Sequence, residues 1–131
     1  MKEDQLTLYK GELMEEKLRS YFLNNGYYVL RGVKYKFKKN EITDIDLFLY
    51  SRSSSLSRER INVDVKNKKT PKAFERIIWT KGMQGLLKFD NCVVATSEKN
   101  DSLRTYGLNH DVTIFDGFFL SILPTSDSRG S

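Results

Sequence analysis

Two acidic residues and a lysine lie on neighbouring extended stretches of this sequence and could together act on a phosphodiester. Asp46 lies in the middle of residues 42–50, and Asp64 and Lys66 lie near the end of residues 61–68, with one residue between them. Side chains two positions apart on a strand share a face. Asp64 and Lys66 therefore project together, and Asp46 joins them if the two strands pair.

Two carboxylates this close repel each other, and one of them stays protonated unless a cation neutralises the pair. Oxygen ligands with water at the remaining positions suit Mg²⁺ or Mn²⁺. Such a metal activates water, and an ammonium group at Lys66 can hold that water or offset phosphate charge. We therefore expect metal-dependent phosphodiester hydrolysis. Asp44, two residues before Asp46 on the same face, is the alternative ligand, and we favour Asp46.

The spacing of apolar residues predicts the elements that must position this chemistry. Residues 4–25 form a helix, because apolar side chains recur three and four apart. Strands follow over residues 27–37, 42–50 and 61–68, and the serine- and arginine-rich residues 51–60 form a loop. A second helix spans residues 70–88, with Thr70 as its N-cap, and Gly82 and Gly85 favour a kink or break in it.

Shorter elements complete the chain. We expect a strand over residues 92–95, a helix over residues 101–108, a strand over residues 112–115 and a last apolar element over residues 118–123. Three early strands followed by helix–strand alternation predict an α/β fold with a mixed sheet flanked by helices. Residues 1–123 are predicted to be one domain and residues 124–131 a disordered polar tail.

Composition narrows the class of partner. The chain has 131 residues and a net charge of 22 − 17 = +5, which favours a polyanion such as DNA. A single cysteine, Cys92, excludes intrachain disulfides and cysteine-based zinc sites, and we expect it in the core. A single histidine, His110, excludes histidine-dyad nucleases. Without a signal-peptide pattern or a membrane-length apolar run, we expect a cytoplasmic protein with no membrane association.

The two acidic strands, together with the first helix, resemble the PD-(D/E)xK, or restriction-endonuclease-like, nuclease superfamily. The resemblance rests on Ile-Thr-Asp44-Ile-Asp46-Leu, on Val63-Asp64-Val65-Lys66, and on Gly11-Glu12-Leu13-Met14-Glu15 followed by Gly26 and a strand. Small Holliday-junction-resolvase-like members have a similar arrangement. The resemblance covers residues 11–116 and implies a restriction-endonuclease-like αβββαβ core.

The resemblance also implies roles for individual residues. Asp46 is the principal metal ligand, Asp64 and the Val65 carbonyl are further ligands, and Lys66 is the catalytic lysine. Glu15 is the helix-borne acid that supports the metal, in competition with Glu12 and Glu16, and Gln84 is a loose match to a glutamine near the site. Backbone-binding lysines are expected at Lys34, Lys36, Lys38, Lys68, Lys69 and Lys72.

These expectations define a Mg-dependent endodeoxyribonuclease directed by DNA structure or by a partner. The chain has no separate sequence-reading domain, which favours a homodimer or a partner protein as the source of specificity. RNA is an alternative substrate. One rival hypothesis is a non-catalytic nucleic-acid-binding module on the same fold, and another is an α/β protein whose acidic pairs form solvated faces. Trp79 and the tyrosines are expected in the core first and as base-stacking groups second.

Overall fold

A computed structural model describes residues 2–52, 56–66 and 73–124, with the backbone alone described for residues 2–11. Four helices and five strands follow one another along these residues. Their order is α1 (Lys2–Asn24), β1 (Tyr28–Phe37), β2 (Asn40–Arg52), β3 (Arg58–Lys66), α2 (Ala73–Leu87), β4 (Asn91–Thr96), α3 (Asp101–Asn109), β5 (Thr113–Phe115) and α4 (Gly117–Ser121). The predicted helices and strands are present, with their ends moved by a few residues.

The five strands form one mixed sheet in the order β1-β2-β3-β4-β5. The first three pair antiparallel, and β4 and β5 run parallel to β3. A parallel pair needs a crossover connection, and α2 supplies it between β3 and β4. The chain therefore has the predicted α/β architecture, a mixed sheet flanked by helices.

Different helices cover the two faces of the sheet, α1 on one face and α2 with α3 on the other. Met14, Leu18 and Phe22 recur every four residues along α1 and pack in one core cluster with Leu47 and other strand residues. Ala73 and Ile77 of α2 and Leu103 of α3 pack against Cys92 and Val94 in a second cluster. Cys92 is thus a core residue, as predicted. Acidic side chains of β2 and β3 lie between these two helical layers, at the end of the sheet where the β2–β3 register stops.

The structure corrects three predictions. The loop predicted over residues 51–60 is shorter, because β2 runs to Arg52 and β3 begins at Arg58, and these two residues pair. Backbone pairing here outweighs the polar composition, which alone predicted a loop. The helix α2 continues through Gly82 and Gly85, since packing of its apolar face stabilises it. Trp79 is not a core residue but stays 45% exposed.

Two later glycines are fixed by close packing. A Cβ atom at Gly117 would lie 2.3 Å from the Ser97 carbonyl oxygen, and one at Gly107 would lie 2.6 Å from the Val112 carbonyl oxygen. Both contacts involve backbone atoms, which cannot move aside as the end of a side chain can. Only glycine therefore fits at these two positions, where α3 and α4 approach the backbone of other segments of the same protein.

Some predictions fall on parts of the chain without a described structure. The Thr70 cap and residues 125–131 of the predicted tail lie outside the described residues. His110 follows the last residue of α3, and its backbone amide donates to the carbonyls of Gly107 and Leu108. None of the helices in the described chain is long and apolar enough to cross a membrane.

Candidate functional site

The candidate site lies where β2 and β3 part. Their register ends with Leu47 opposite Val63, so the next residue along β2 towards its start, Asp46, has no paired Cα partner on β3. Its carboxylate instead accepts a hydrogen bond from the Val65 backbone amide, with Oδ2 2.8 Å from the nitrogen. A charged acceptor forms a strong bond to a backbone N–H. The Asp46 side chain therefore takes the place of a ladder bond and is held against β3.

Asp64, on β3, is buried and paired with an arginine that the sequence analysis did not single out. Its side chain has 9% relative exposure. Arg76 of α2 donates from Nε to Oδ2 at 3.0 Å, and its Nη2 donates to Oδ1. This forked geometry is the strong form of an arginine–carboxylate pair, and it raises the pKa of Arg76. Arg76 also stacks on Trp79, with its guanidinium carbon 5.4 Å from the ring centroid.

Asp46 carries the clearest electrostatic sign of a crowded acidic site. Its pKa is raised from 3.8 to about 6, chiefly by burial and also by the negative charges of Asp64 and Glu15. The Val65 amide and the positive charge of Lys66 act in the opposite direction. The four predicted catalytic side chains, Glu15, Asp46, Asp64 and Lys66, therefore share one electrostatic environment.

Glu15 reaches this environment from α1, on the other side of the sheet. Arg31 of β1 lies beside it, with Nη2 3.5 Å from Oε1, and also pairs with Glu16 at 3.1 Å. Glu16 is further paired with Arg19, and Glu12 lines an open cleft with Arg31. Of the three competing glutamates, Glu15 is the one whose charge acts on Asp46.

The carboxylates are not drawn together into a metal cage. Within the residues described, no group of three or more His, Cys, Asp or Glu side chains is arranged to hold a metal ion. Each acid has a partner of its own: Arg31 for Glu15, the Val65 amide for Asp46 and Arg76 for Asp64. The donors fit Mg²⁺ in kind, since they are oxygens of neighbouring acids. Asp64 can bind a metal ion only if Arg76 shares or releases the Asp64 carboxylate.

Two further candidates, Asp44 and Gln84, differ from these acids in their surroundings. Asp44 is exposed and stands in register with Lys34 on the β1–β2 hairpin. Gln84, predicted near the site, donates to the Asp90 carbonyl at 3.1 Å and contacts the Cys92 sulfur at 3.3 Å. These contacts lie beside the start of β4, whereas Lys66 pairs with Thr96 at its end. Because α2 runs back along the sheet, its later turns lie far from the acids, and Gln84 is structural.

The basic hairpin projects beyond the core. Lys34, Lys36 and Lys38 are all exposed. Lys34 pairs with Glu41 at 3.4 Å, and the ammonium of Lys38 lies 5.6 Å from the Phe37 ring centroid. The register between β1 and β2 shifts between Tyr35 and Lys36. Lys68, Lys69 and Lys72, predicted to contact a backbone, lie outside the described residues.

Sequence reasoning missed the two arginines that partner the acids. Arg31 and Arg76 are distant from those acids in sequence, and only the packing of α1 and α2 on the sheet brings them together. The helical spacing of Arg76 from Ala73 and Ile77 could have placed it beside the buried face of α2, but its partner could not have been inferred.

Comparison with known proteins identifies the fold alone. No family model matches the chain, and no curated protein matches it. Among solved structures it is similar to the crystal structure of AF1548, a protein of unknown function, with a TM-score of 0.60 and 14% sequence identity. The match covers 90% of this chain and 67% of that chain. The two proteins therefore share an architecture, and neither assigns a function to the other.

Proposed function

We propose that this chain is a metal-dependent nuclease that hydrolyses DNA phosphodiester bonds on a restriction-endonuclease-like core. The observation that carries the proposal is that Asp46 is held against Val65, the residue between Asp64 and Lys66, and that the charges of Asp64, Glu15 and Lys66 act on its pKa. The element order α1-β1-β2-β3-α2-β4 agrees with the αβββαβ core of that superfamily. A surplus of acids beside one lysine is what a phosphate-cleaving cation site requires.

Asp46 and Asp64 would hold Mg²⁺ or Mn²⁺, with the Val65 carbonyl and Glu15 as further ligands. When bound, the metal supplies Lewis-acid stabilisation of the phosphate and activation of water. Lys66 orients the attacking water or offsets charge on the phosphate. The Val65 amide fixes the orientation of the Asp46 carboxylate. Arg76 restrains Asp64 and sets how readily that carboxylate turns to a cation.

Substrate binding would rest on positive charge outside the acidic centre. The net charge of +5 and the exposed hairpin lysines Lys34, Lys36 and Lys38 suit a nucleic-acid backbone. Backbone contacts carry no sequence information by themselves. We therefore infer a nuclease directed by the structure of the DNA or by an associated protein, and cleavage assays on junctions, duplexes, single strands and RNA distinguish the substrates.

A second candidate function is a nucleic-acid-binding module without catalysis. The paired state of Asp64 favours it, because the Arg76 guanidinium already neutralises a carboxylate that the nuclease would use for its cation. Under this alternative the acids and arginines stabilise the end of the sheet, and the hairpin lysines alone engage the nucleic acid.

The deciding experiment measures cleavage of branched, linear and single-stranded DNA with and without Mg²⁺. Asp64→Asn and Lys66→Ala should each lower the cleavage rate by about a hundredfold or more, because removal of one electrostatic catalytic group has this effect. Asp44→Asn is the matched control, since it removes an exposed acid two residues from Asp46, and it should cut as the wild type does.

A separate titration of Mg²⁺ by calorimetry distinguishes the two functions. The nuclease hypothesis requires a cation site that Asp46→Asn abolishes and Asp44→Asn leaves intact. DNA binding without cleavage and without such a site would establish the binding module instead. Equal cleavage by the wild type and by Lys66→Ala would show that the activity does not come from this site.

A further inference from the structure

The outer face of α2 carries large apolar side chains that the described chain leaves in solvent. Ile78 is 61% exposed, Trp79 45% and Leu86 67%. They lie on one side of the helix, opposite the buried residues Ala73 and Ile77. A cluster of exposed apolar side chains on one helix face is typical of an interaction site. We call the face made by Glu75, Ile78, Trp79, Gly82, Gly85 and Leu86 the outer face of α2.

Two glycines lie in the middle of this face, and no close contact within the described chain requires glycine at either position. A Cβ atom at Gly82 or at Gly85 would meet no heavy atom within 4 Å. Each glycine makes a helix less stable than alanine would at the same position. Gly107 and Gly117, by contrast, are each required by a close backbone contact. Glycines on an open helix surface let another backbone approach closely, so this face fits a partner that comes from outside.

The order of the residues makes the face complementary to itself. Ile78 and Leu86 lie four residues to either side of Gly82, and Trp79 and Gly85 lie three residues to either side. In an antiparallel pair of helices with a two-fold axis at Gly82, Ile78 shares a layer with the partner's Leu86. Trp79 shares a layer with the partner's Gly85, which leaves room for the indole ring. The narrowest layer is formed by the two copies of Gly82.

Charge at the ends of the helix agrees with the same register. Glu75 lies seven residues before Gly82, and Lys88 lies six residues after it. Both are exposed. Lys88 is the first residue after the helix, with φ of +58°, so in the antiparallel pair Glu75 in the first turn of one helix faces the end of the partner helix that the partner's Lys88 follows. A parallel pair would instead place each of these charges beside its own copy, which is repulsive.

We propose that the outer face of α2 binds the same face of a second copy of this chain, antiparallel about Gly82. This interface is isologous, as two-fold dimers require. A pair of helices 15 residues long buries less than the roughly 1,200 Å² of stable interfaces. The dimer is therefore weak and depends on concentration. The proposal is independent of nuclease activity, although Trp79 joins this face to Arg76 and hence to Asp64.

Sedimentation equilibrium of the full chain over a range of concentrations tests the proposal. Wild type should show a reversible monomer–dimer equilibrium. Ile78→Glu alone and Leu86→Lys alone should each weaken the dimer by roughly a hundredfold, because each buries two unpaired charges. The chain carrying both changes should recover most of the affinity, since each glutamate then faces a partner lysine in the same layer. Only the antiparallel register predicts this recovery.

Two further variants guard against changes in folding. Leu108→Glu alters an apolar residue on α3 that is 77% exposed, more than Ile78 or Leu86, and this variant should dimerise as wild type does. Gly82→Gln should stabilise the monomer, because glutamine is a better helix former, and should abolish the dimer. A wild type that stays monomeric at every concentration overturns the proposal. So does a dimer that Ile78→Glu and Gly82→Gln leave unchanged.

Discussion

The Asp46 carboxylate accepts a hydrogen bond from the Val65 backbone amide at the point where the β2–β3 ladder stops. The contact fixes an acid against the strand that carries Asp64 and Lys66. Burial of the carboxylate, together with the negative charges of Asp64 and Glu15, raises the pKa of Asp46 to about 6 in spite of this hydrogen bond.

This raised pKa predicts how stability depends on pH. The folded chain retains the Asp46 proton up to about pH 6, whereas the unfolded chain releases it near 3.8. The folded state therefore binds more protons in this window, and its free energy of unfolding falls as pH rises through it. Asp46→Asn stays neutral and can still accept from Val65. It should be about 1–2 kcal/mol more stable than wild type at pH 8, after allowance for partial exposure.

Urea unfolding at pH 4 and pH 8 measures this difference. The advantage of Asp46→Asn should shrink at pH 4, where Asp46 is protonated in the folded chain. Asp44→Asn, on the exposed hairpin, should show no comparable change between the two pH values. A loss of stability in Asp46→Asn at pH 8 would mean that the ionised carboxylate stabilises the fold.

Removal of Arg76 should destabilise the fold and strengthen cation binding. Arg76→Ala leaves the buried Asp64 carboxylate without its partner, and we expect a loss of about 2–4 kcal/mol in the free energy of unfolding. Added Mg²⁺ should recover part of it by taking the place of the guanidinium. Asp64→Asn in the same chain should also recover part of it and should remove the response to Mg²⁺.

Thermal unfolding with and without Mg²⁺ reads out both effects. Arg19→Ala is the control. Arg19 pairs with Glu16, three residues earlier on α1, and both side chains are partly exposed. This pair should contribute less than about 0.5 kcal/mol to the free energy of unfolding. A chain with Arg76→Ala that is as stable as wild type would contradict the importance of this pair.

Gly117→Ala should be strongly destabilising, because its Cβ atom would lie 2.3 Å from a backbone oxygen. We expect a loss of about 2–4 kcal/mol, the range for overpacking that forces backbone shifts. Gly82→Ala, measured on dilute protein, should instead gain about 0.5–1 kcal/mol from helix propensity. Equal stability of the two variants in urea unfolding would refute the close approach at Gly117.

The hairpin lysines should appear in the salt dependence of DNA binding. Lys36→Gln with Lys38→Gln should lower the slope of log affinity against log salt by up to about 1.8, which is about 0.9 for each lost phosphate contact. Arg52→Gln with Arg58→Gln removes the same charge at the other end of β2 and should leave the slope nearly unchanged. Fluorescence anisotropy at several salt concentrations provides the measurement, and equal slopes for both variants would exclude the hairpin as the contact.

The sequence predicted what depends on local patterns. Apolar spacing located the helices and strands, and residue spacing placed Asp64 and Lys66 on one face of β3. Contacts between segments that are distant in sequence leave no local pattern from which they could be predicted. The pairing of Arg76 with Asp64, and of Arg31 with Glu15, depends on how the helices pack on the sheet. Gln84 was misplaced for the same reason, since its distance from the acids follows from the direction of α2.

The predicted ligand set remains a prediction. Spacing alone indicated which acids share a strand face, but the partner that each carboxylate takes depends on competition among charges in the folded chain. The predicted break in α2 did not occur, because glycine propensity is a weak local effect, which packing along the whole helix outweighs.

The position of β1 at the edge of the sheet has a consequence for how the protein stays in solution. The outer side of an edge strand offers unpaired backbone groups to any other extended chain, which invites aggregation. Lys34, Lys36 and Lys38, with the register shift after Tyr35, discourage such pairing along this strand. We therefore expect that loss of the hairpin lysines lowers the refolding yield, because the outer side of β1 would then be open to pairing with another extended chain.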